Sequence, residues 1–153
     1  MVIKVKRLII FKTYSMLLAC LFITDVTFGE TQNFINDRQA MFDKSKSNMK
    51  ILRQSIRNRN QEAGLTAITF HLDWSEKLES LFPPGSEASI TNGSDASGAI
   101  WSNFEGFKSL NTDYLNESRK VETALESEDF VSAKNNFLQL TRTCKACHER
   151  FRN

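Results

Sequence analysis

Histidine, cysteine and proline are scarce in this chain, with two, three and two copies among 153 residues. A structural zinc site takes four protein ligands. His71, His148 and Cys20 add no second ligand pair, at zinc-finger spacing, to the one close cysteine pair, Cys144 and Cys147. No stretch alternates convincingly between apolar and polar residues at period two, so strands are not expected. The two prolines are adjacent, Pro83-Pro84, and mark a place where a helix must stop. No apolar run is long enough to read with assurance as a membrane span. A surplus of either charge is also missing once the N-terminus is set aside, which leaves no polyanion-binding surface and no nucleic acid among the expected partners.

What is present begins with a leader. Lys4, Lys6, Arg7 and Lys12 make a basic start, residues 16–23 with their flanks make a short apolar core, and Thr27 and Gly29 suit cleavage before Glu30. Residues 1–29 read as an export signal and residues 30–153 as one domain. Leu17-Leu18-Ala19-Cys20 also resembles a lipobox, in which Cys20 would carry a lipid anchor, although Leu21, Phe22 and Ile23 continue the apolar run beyond it. Of the 20 basic residues four lie in the leader, and of the 18 acids only Asp25 does, so the remainder carries 16 positive against 17 negative side chains. Export leads to a compartment where spare thiols tend to pair, and that suits a mature chain left with Cys144 and Cys147 alone.

The rest reads as helices. Phe34, Met41, Phe42, Met49, Leu52 and Ile56 recur at three-, four- and seven-residue spacings and predict an amphipathic helix from Thr31 to about Asn58. After a polar turn, Leu65, Ile68, Leu72, Leu78 and Leu81 predict a second helix from about Glu62 to Leu81, closed by Pro83-Pro84. Residues 86–98, rich in Ser, Gly, Asn and Asp, form the one long loop; Asn92-Gly93-Ser94 matches a glycosylation sequon but is read as loop sequence. Ile100, Phe104, Phe107, Leu110, Tyr114, Val121 and Leu125 mark a third helix from about Ser97 to Glu126. A break at Ser127–Asp129 caps a fourth, from about Glu128 to Arg150. Four helices with mostly short connections predict an all-α, antiparallel up-down-up-down bundle, whose interior is a usual place for a cofactor.

Cys144-Lys145-Ala146-Cys147-His148 is the motif that carries chemistry. C-x-x-C-H is the pattern of c-type haem attachment, with two thiols on one helical turn for the haem vinyl groups and an adjacent imidazole for the iron. A redox dithiol would want a βαβ context and a reactive thiolate near a helix N-terminus, whereas this motif ends a long helical pattern. His71, among Phe70, Leu72 and Asp73, is read as an ordinary surface or edge residue, and Trp74 and Trp101 as core or edge aromatics.

Four segments then carry a resemblance: residues 144–152 at the C-terminus, Arg38-Gln39-Ala40-Met41-Phe42 in the first helix, Leu81-Phe82-Pro83-Pro84-Gly85 closing the second, and Ile100-Trp101 opening the third. In this order and spacing they resemble the cytochrome c′ family, the class II c-type cytochromes, over about Glu30 to Arg152. The resemblance implies one covalent haem c near the C-terminal helix, thioethers from Cys144 and Cys147, and His148 as proximal ligand. It implies that Arg152 lies beside that imidazole and Arg38 near the haem propionates, where a guanidinium can bind a carboxylate. It also implies a periplasmic protein, a redox partner protein of unknown identity, small gas ligands as a further class of partner, and a homodimer as an assembly common in the family.

The distal position decides the finer function. In six-coordinate relatives a methionine lies four residues after this arginine and seven before a second methionine; counting from Arg38 and back from Met49, both rules reach Phe42. Phenylalanine cannot ligate iron, so the resemblance implies a five-coordinate, high-spin haem that transfers electrons and, alternatively, binds or scavenges nitric oxide or carbon monoxide. Met41 is the other candidate for a sixth ligand, but one residue along a helix turns a side chain by about 100°. No distal acid or base accompanies Phe42, so an enzyme is not expected.

Overall fold

The computed structural model describes residues 28–153. The leader up to residue 27, including Cys20, lies outside the described residues. Helix α1, Phe28–Asn58, starts three residues before the expected Thr31 and so includes the last two residues assigned to the leader. Arg59, at φ 53°, reverses the chain, and the Asn60 side chain accepts from the Ala63 N–H to cap α2, Gln61–Leu78. The last turn of the expected second helix tightens into a 3-10 segment, Glu79–Leu81, ahead of the prolines.

The expected third helix is two. Asn103, at φ −142° and ψ 55°, leaves the helical conformation and turns its side chain onto the Gly106 N–H, so α3, Ala99–Ser102, stops and α4, Phe104–Glu126, starts afresh. An asparagine inside an apolar periodicity can act as a cap, and periodicity alone does not show it. Glu128, at φ 55°, breaks the chain again, and Asp129 caps α5, Phe130–Phe151, through the Val131 and Ser132 N–H groups.

Among the described residues the architecture is all-helical, with α1 against α2, α2 against α4, and α4 against α5; α1 and α5 meet much less extensively. The core between them holds Leu52, Ile68, Trp74, Phe107, Val121, Leu125, Phe137 and Leu140, each 5 % exposed or less. In α1 the fully buried residue near the start is Ile35 rather than the expected Phe34. Gly64 lets α2 and α4 approach closely, since a Cβ there would meet the Leu125 methyl groups at 3.1 and 3.2 Å.

Candidate functional site

The last turns of α5 carry Cys144, Cys147 and His148. Three residues apart, the two cysteines share a helix face and pack, half-buried, against the apolar core. His148 is exposed, and its ring meets that of Phe42 on α1 edge to face, with centroids 6.3 Å apart. Phe42 is itself 38 % exposed and rests on the buried Trp74 at 5.2 Å. Met41, one position earlier, is half-buried against the core.

Burial raises the Cys144 thiol and pushes that of Cys147 up to about 11, with the neighbouring Cys144 a second cause. Both cysteines are free. At neutral pH they are thiols, which is not the low-pKa state of a redox dithiol. Partial burial, and then the charge of Arg152, hold His148 below the ordinary imidazole range. That favours the neutral ring, the form that binds metal.

This donor set fits a haem. Two thiols on one turn and an adjacent neutral imidazole stand at the seam where α1 and α5 meet least. Phe42 faces that imidazole across the seam, and Met41, Met49 and the cysteine side chains add apolar surface there. An apolar macrocycle is at home against such walls, tethered to one helix and screened by the other.

The two arginines are held by the long loop. Arg38 is 3 % exposed. Its Nη1 donates to Ser86 Oγ at 2.7 Å and to the Leu81 carbonyl at 3.2 Å; Nη2 donates to Ser94 Oγ at 2.6 Å and to the Ser86 carbonyl. The guanidinium also lies over the Phe82 ring at 4.7 Å. Burial lowers its pKa from an ordinary value so high that the charge persists. Arg152 pairs with Asp95, Nη2 to Oδ2 at 2.7 Å, while its field reaches His148. Backbone bonds from Ser97 N to the Phe151 carbonyl and from Asn153 N to the Asp95 carbonyl stitch the loop to the end of α5.

Ser86, Ser94 and Asp95 were not singled out by sequence reasoning. A serine-rich loop reads the same whether its hydroxyls face water or a buried guanidinium. His71 corrects an expectation outright: it is fully buried, not at a surface or edge, and its Nδ1 lies 2.6 Å from the Tyr114 hydroxyl. Tyr114, about three turns into α4 and counted only as a core aromatic, was the signal that a polar partner existed.

Comparison with known proteins agrees with this geometry. The family described as Cytochrome C′ matches residues 33–152. A cytochrome c′ of Rhodospirillum rubrum is 34 % identical over 77 residues, covering 50 % of this chain and 51 % of the relative, so the match spans about half of each. A solved cytochrome c′ with ligand-controlled dimer dissociation aligns with TM-score 0.74 and 17 % identity over 80 % of this chain and 95 % of the other. The cytochrome c′ of Thermochromatium tepidum gives 0.73 and 20 % over 80 % and 95 %. A nitric oxide complex of a variant cytochrome c′ from Alcaligenes xylosoxidans gives 0.72 and 20 % over 83 % and 98 %. At these identities the solved structures establish the four-helix-bundle fold. With the family match over most of the chain and the C-x-x-C-H donor set at the open seam, the chain belongs to the cytochrome c′ family, whose members bind one covalent haem c.

Proposed function

We propose that the chain is an exported, periplasmic electron-transfer protein with haem c bound by Cys144 and Cys147, with His148 as proximal ligand and no sixth ligand from the protein. The observation that carries this reading is the Phe42–His148 pair: the side chain facing the imidazole at 6.3 Å has no lone pair to offer a metal. The haem supplies a redox-active iron, and the chain sets its environment through axial ligation and burial. Cys144 and Cys147 fix its position on α5. Phe42, resting on Trp74, screens the distal side from water. Arg152, fixed by Asp95, holds a positive charge near His148. Arg38 would take a propionate by exchanging one of its loop acceptors for a carboxylate oxygen. A distal side of this kind brings no acid or base to the iron, so electron exchange rather than catalysis is the role it serves.

The same observation favours a second reading, binding of nitric oxide or carbon monoxide. The Phe42 ring can turn aside for a diatomic molecule, but it donates no hydrogen bond to stabilise bound dioxygen. One solved relative is a nitric oxide complex and another dissociates its dimer under ligand control. A homodimer coupled to a gas ligand therefore belongs to this reading.

Replacement of Phe42 by methionine tests the distal assignment. A Phe42→Met protein with a low-spin spectrum, while Met41→Leu keeps the parent spectrum, is the expected result. An unchanged spectrum in Phe42→Met, with a change in Met41→Leu, would move the distal position to Met41.

A further inference from the structure

His71 on α2 and Tyr114 on α4 meet in the core with Nδ1 and hydroxyl 2.6 Å apart. The other ring nitrogen, Nε2, is buried without a polar partner. Buried polar atoms are nearly always paired, and leaving one unpaired is destabilising. Apolar side chains would fill this part of the core without that cost, so the pair calls for a role.

Its protonation and placement suggest one. Burial pushes the Tyr114 phenol upward, so it keeps its proton, and pushes His71 down to about 4, so the imidazole is neutral and able to accept. In the Nε2–H tautomer the phenol donates to Nδ1. Tyr114 belongs to the core cluster against which Cys144 and Cys147 pack, and His71 lies one turn before Trp74, the ring on which Phe42 rests. The buried pair thus stands behind the apolar wall on which the haem-site residues rest.

We propose that Tyr114, with His71 as its proton acceptor, is an internal one-electron donor that quenches oxidising equivalents delivered to the haem site by peroxides. Reduction of hydrogen peroxide to two waters takes two electrons and two protons. Tyr114 supplies one electron and the haem the other; solvent supplies both protons. The phenolic O–H breaks, an N–H forms at His71 Nδ1, and a neutral tyrosyl radical remains. The base matters because a phenol that has lost an electron is a far stronger acid than an imidazolium, even one whose pKa burial lowers to about 4, so its proton passes to Nδ1 within the 2.6 Å hydrogen bond. An open iron without a distal acid or base meets peroxide as damage rather than as substrate, so a nearby donor protects the cofactor. In this one respect the inference rests on the open-iron reading.

Tyr114 is the only tyrosine among the described residues and Tyr14 the other in the chain, so a Tyr14→Phe background isolates it. The haem-loaded protein, made with ordinary or ring-deuterated tyrosine, is mixed with hydrogen peroxide, frozen and read by electron paramagnetic resonance. The expected signal is an organic radical whose hyperfine structure collapses on deuteration, is lost in Tyr114→Phe, and is diminished in His71→Gln, which accepts a hydrogen bond but cannot keep a proton. Haem absorbance should bleach faster in both variants than in the parent. A radical indifferent to tyrosine deuteration, or a full yield in His71→Gln, would overturn the proposal. If peroxide leaves the haem spectrum unaltered, the open-iron reading fails instead, and flash photo-oxidation with a ruthenium tris-bipyridine oxidant decides the donor. A deuteration-sensitive radical then supports Tyr114, and none overturns it.

Discussion

Two seams of the bundle are built in opposite ways. Between α2 and α4, Gly64 brings the backbones together over Leu125, and even the polar residues His71 and Tyr114 are buried against each other. Between α1 and α5 the helices meet sparsely, Phe42 is 38 % exposed, and His148 opens to solvent. The two histidines follow their seams. His71 is held neutral by burial far more strongly than His148, which borders water. A four-helix bundle of this size can take its stability from three tight seams and leave the fourth for a cofactor, because a gap filled by a tethered macrocycle is not a cavity.

The largest effect should come from the open seam. Cys144→Ser combined with Cys147→Ser is expected to abolish covalent haem, read as loss of haem stain on a denaturing gel; retained stain would mean that the open seam is not the attachment site. The closed seam should answer in stability alone. Leu125→Ala empties space under Gly64 and should cost about 2–5 kcal/mol in urea unfolding, with the haem spectrum unchanged.

A pH series sharpens the contrast between the histidines. The folded pKa of His71 is depressed to about 4 from an ordinary 6.5, so the unfolded chain binds the extra proton first. Its contribution to stability is complete above about pH 6.5 and is lost as pH falls toward 4. Between pH 7 and pH 5 the parent should lose about 2 kcal/mol more stability than His71→Gln. Parallel curves for the two proteins would mean that another group governs the acid limb. The smallest effect belongs to the loop strap at the open seam. Asp95→Asn breaks a pair exposed by more than half on both sides and should change stability by less than about 1 kcal/mol. The absorption bands of the haem should shift nonetheless, as Arg152 leaves the neighbourhood of His148.

How far these seams were legible in the sequence follows from what each depends on. The four long helices and the C-x-x-C-H donors came from periodicity and from one local motif, and those are properties of neighbouring residues. The break at Asn103 escaped because a cap and a solvated asparagine look alike until the backbone dihedrals are known. The leader was read from residues 1–29, and its test lies outside the described residues. His71 was misjudged since its partner is 43 residues away. A lone histidine beside Asp73 has the composition of a surface turn of helix, and only the α2–α4 contact makes it core. Likewise nothing near Arg38 in the chain pointed to Ser86 and Ser94; a loop had to fold back across α1 to supply them.

The central claim is that the α1–α5 seam leaves the iron with His148 alone and Phe42 above it. The most direct measurement is the optical and paramagnetic resonance spectrum of the haem-loaded protein, oxidised and reduced, with and without nitric oxide. A high-spin iron that converts on addition of the gas is the predicted result. A low-spin iron indifferent to nitric oxide would contradict it, and would mean that the protein itself supplies a sixth ligand at the open seam.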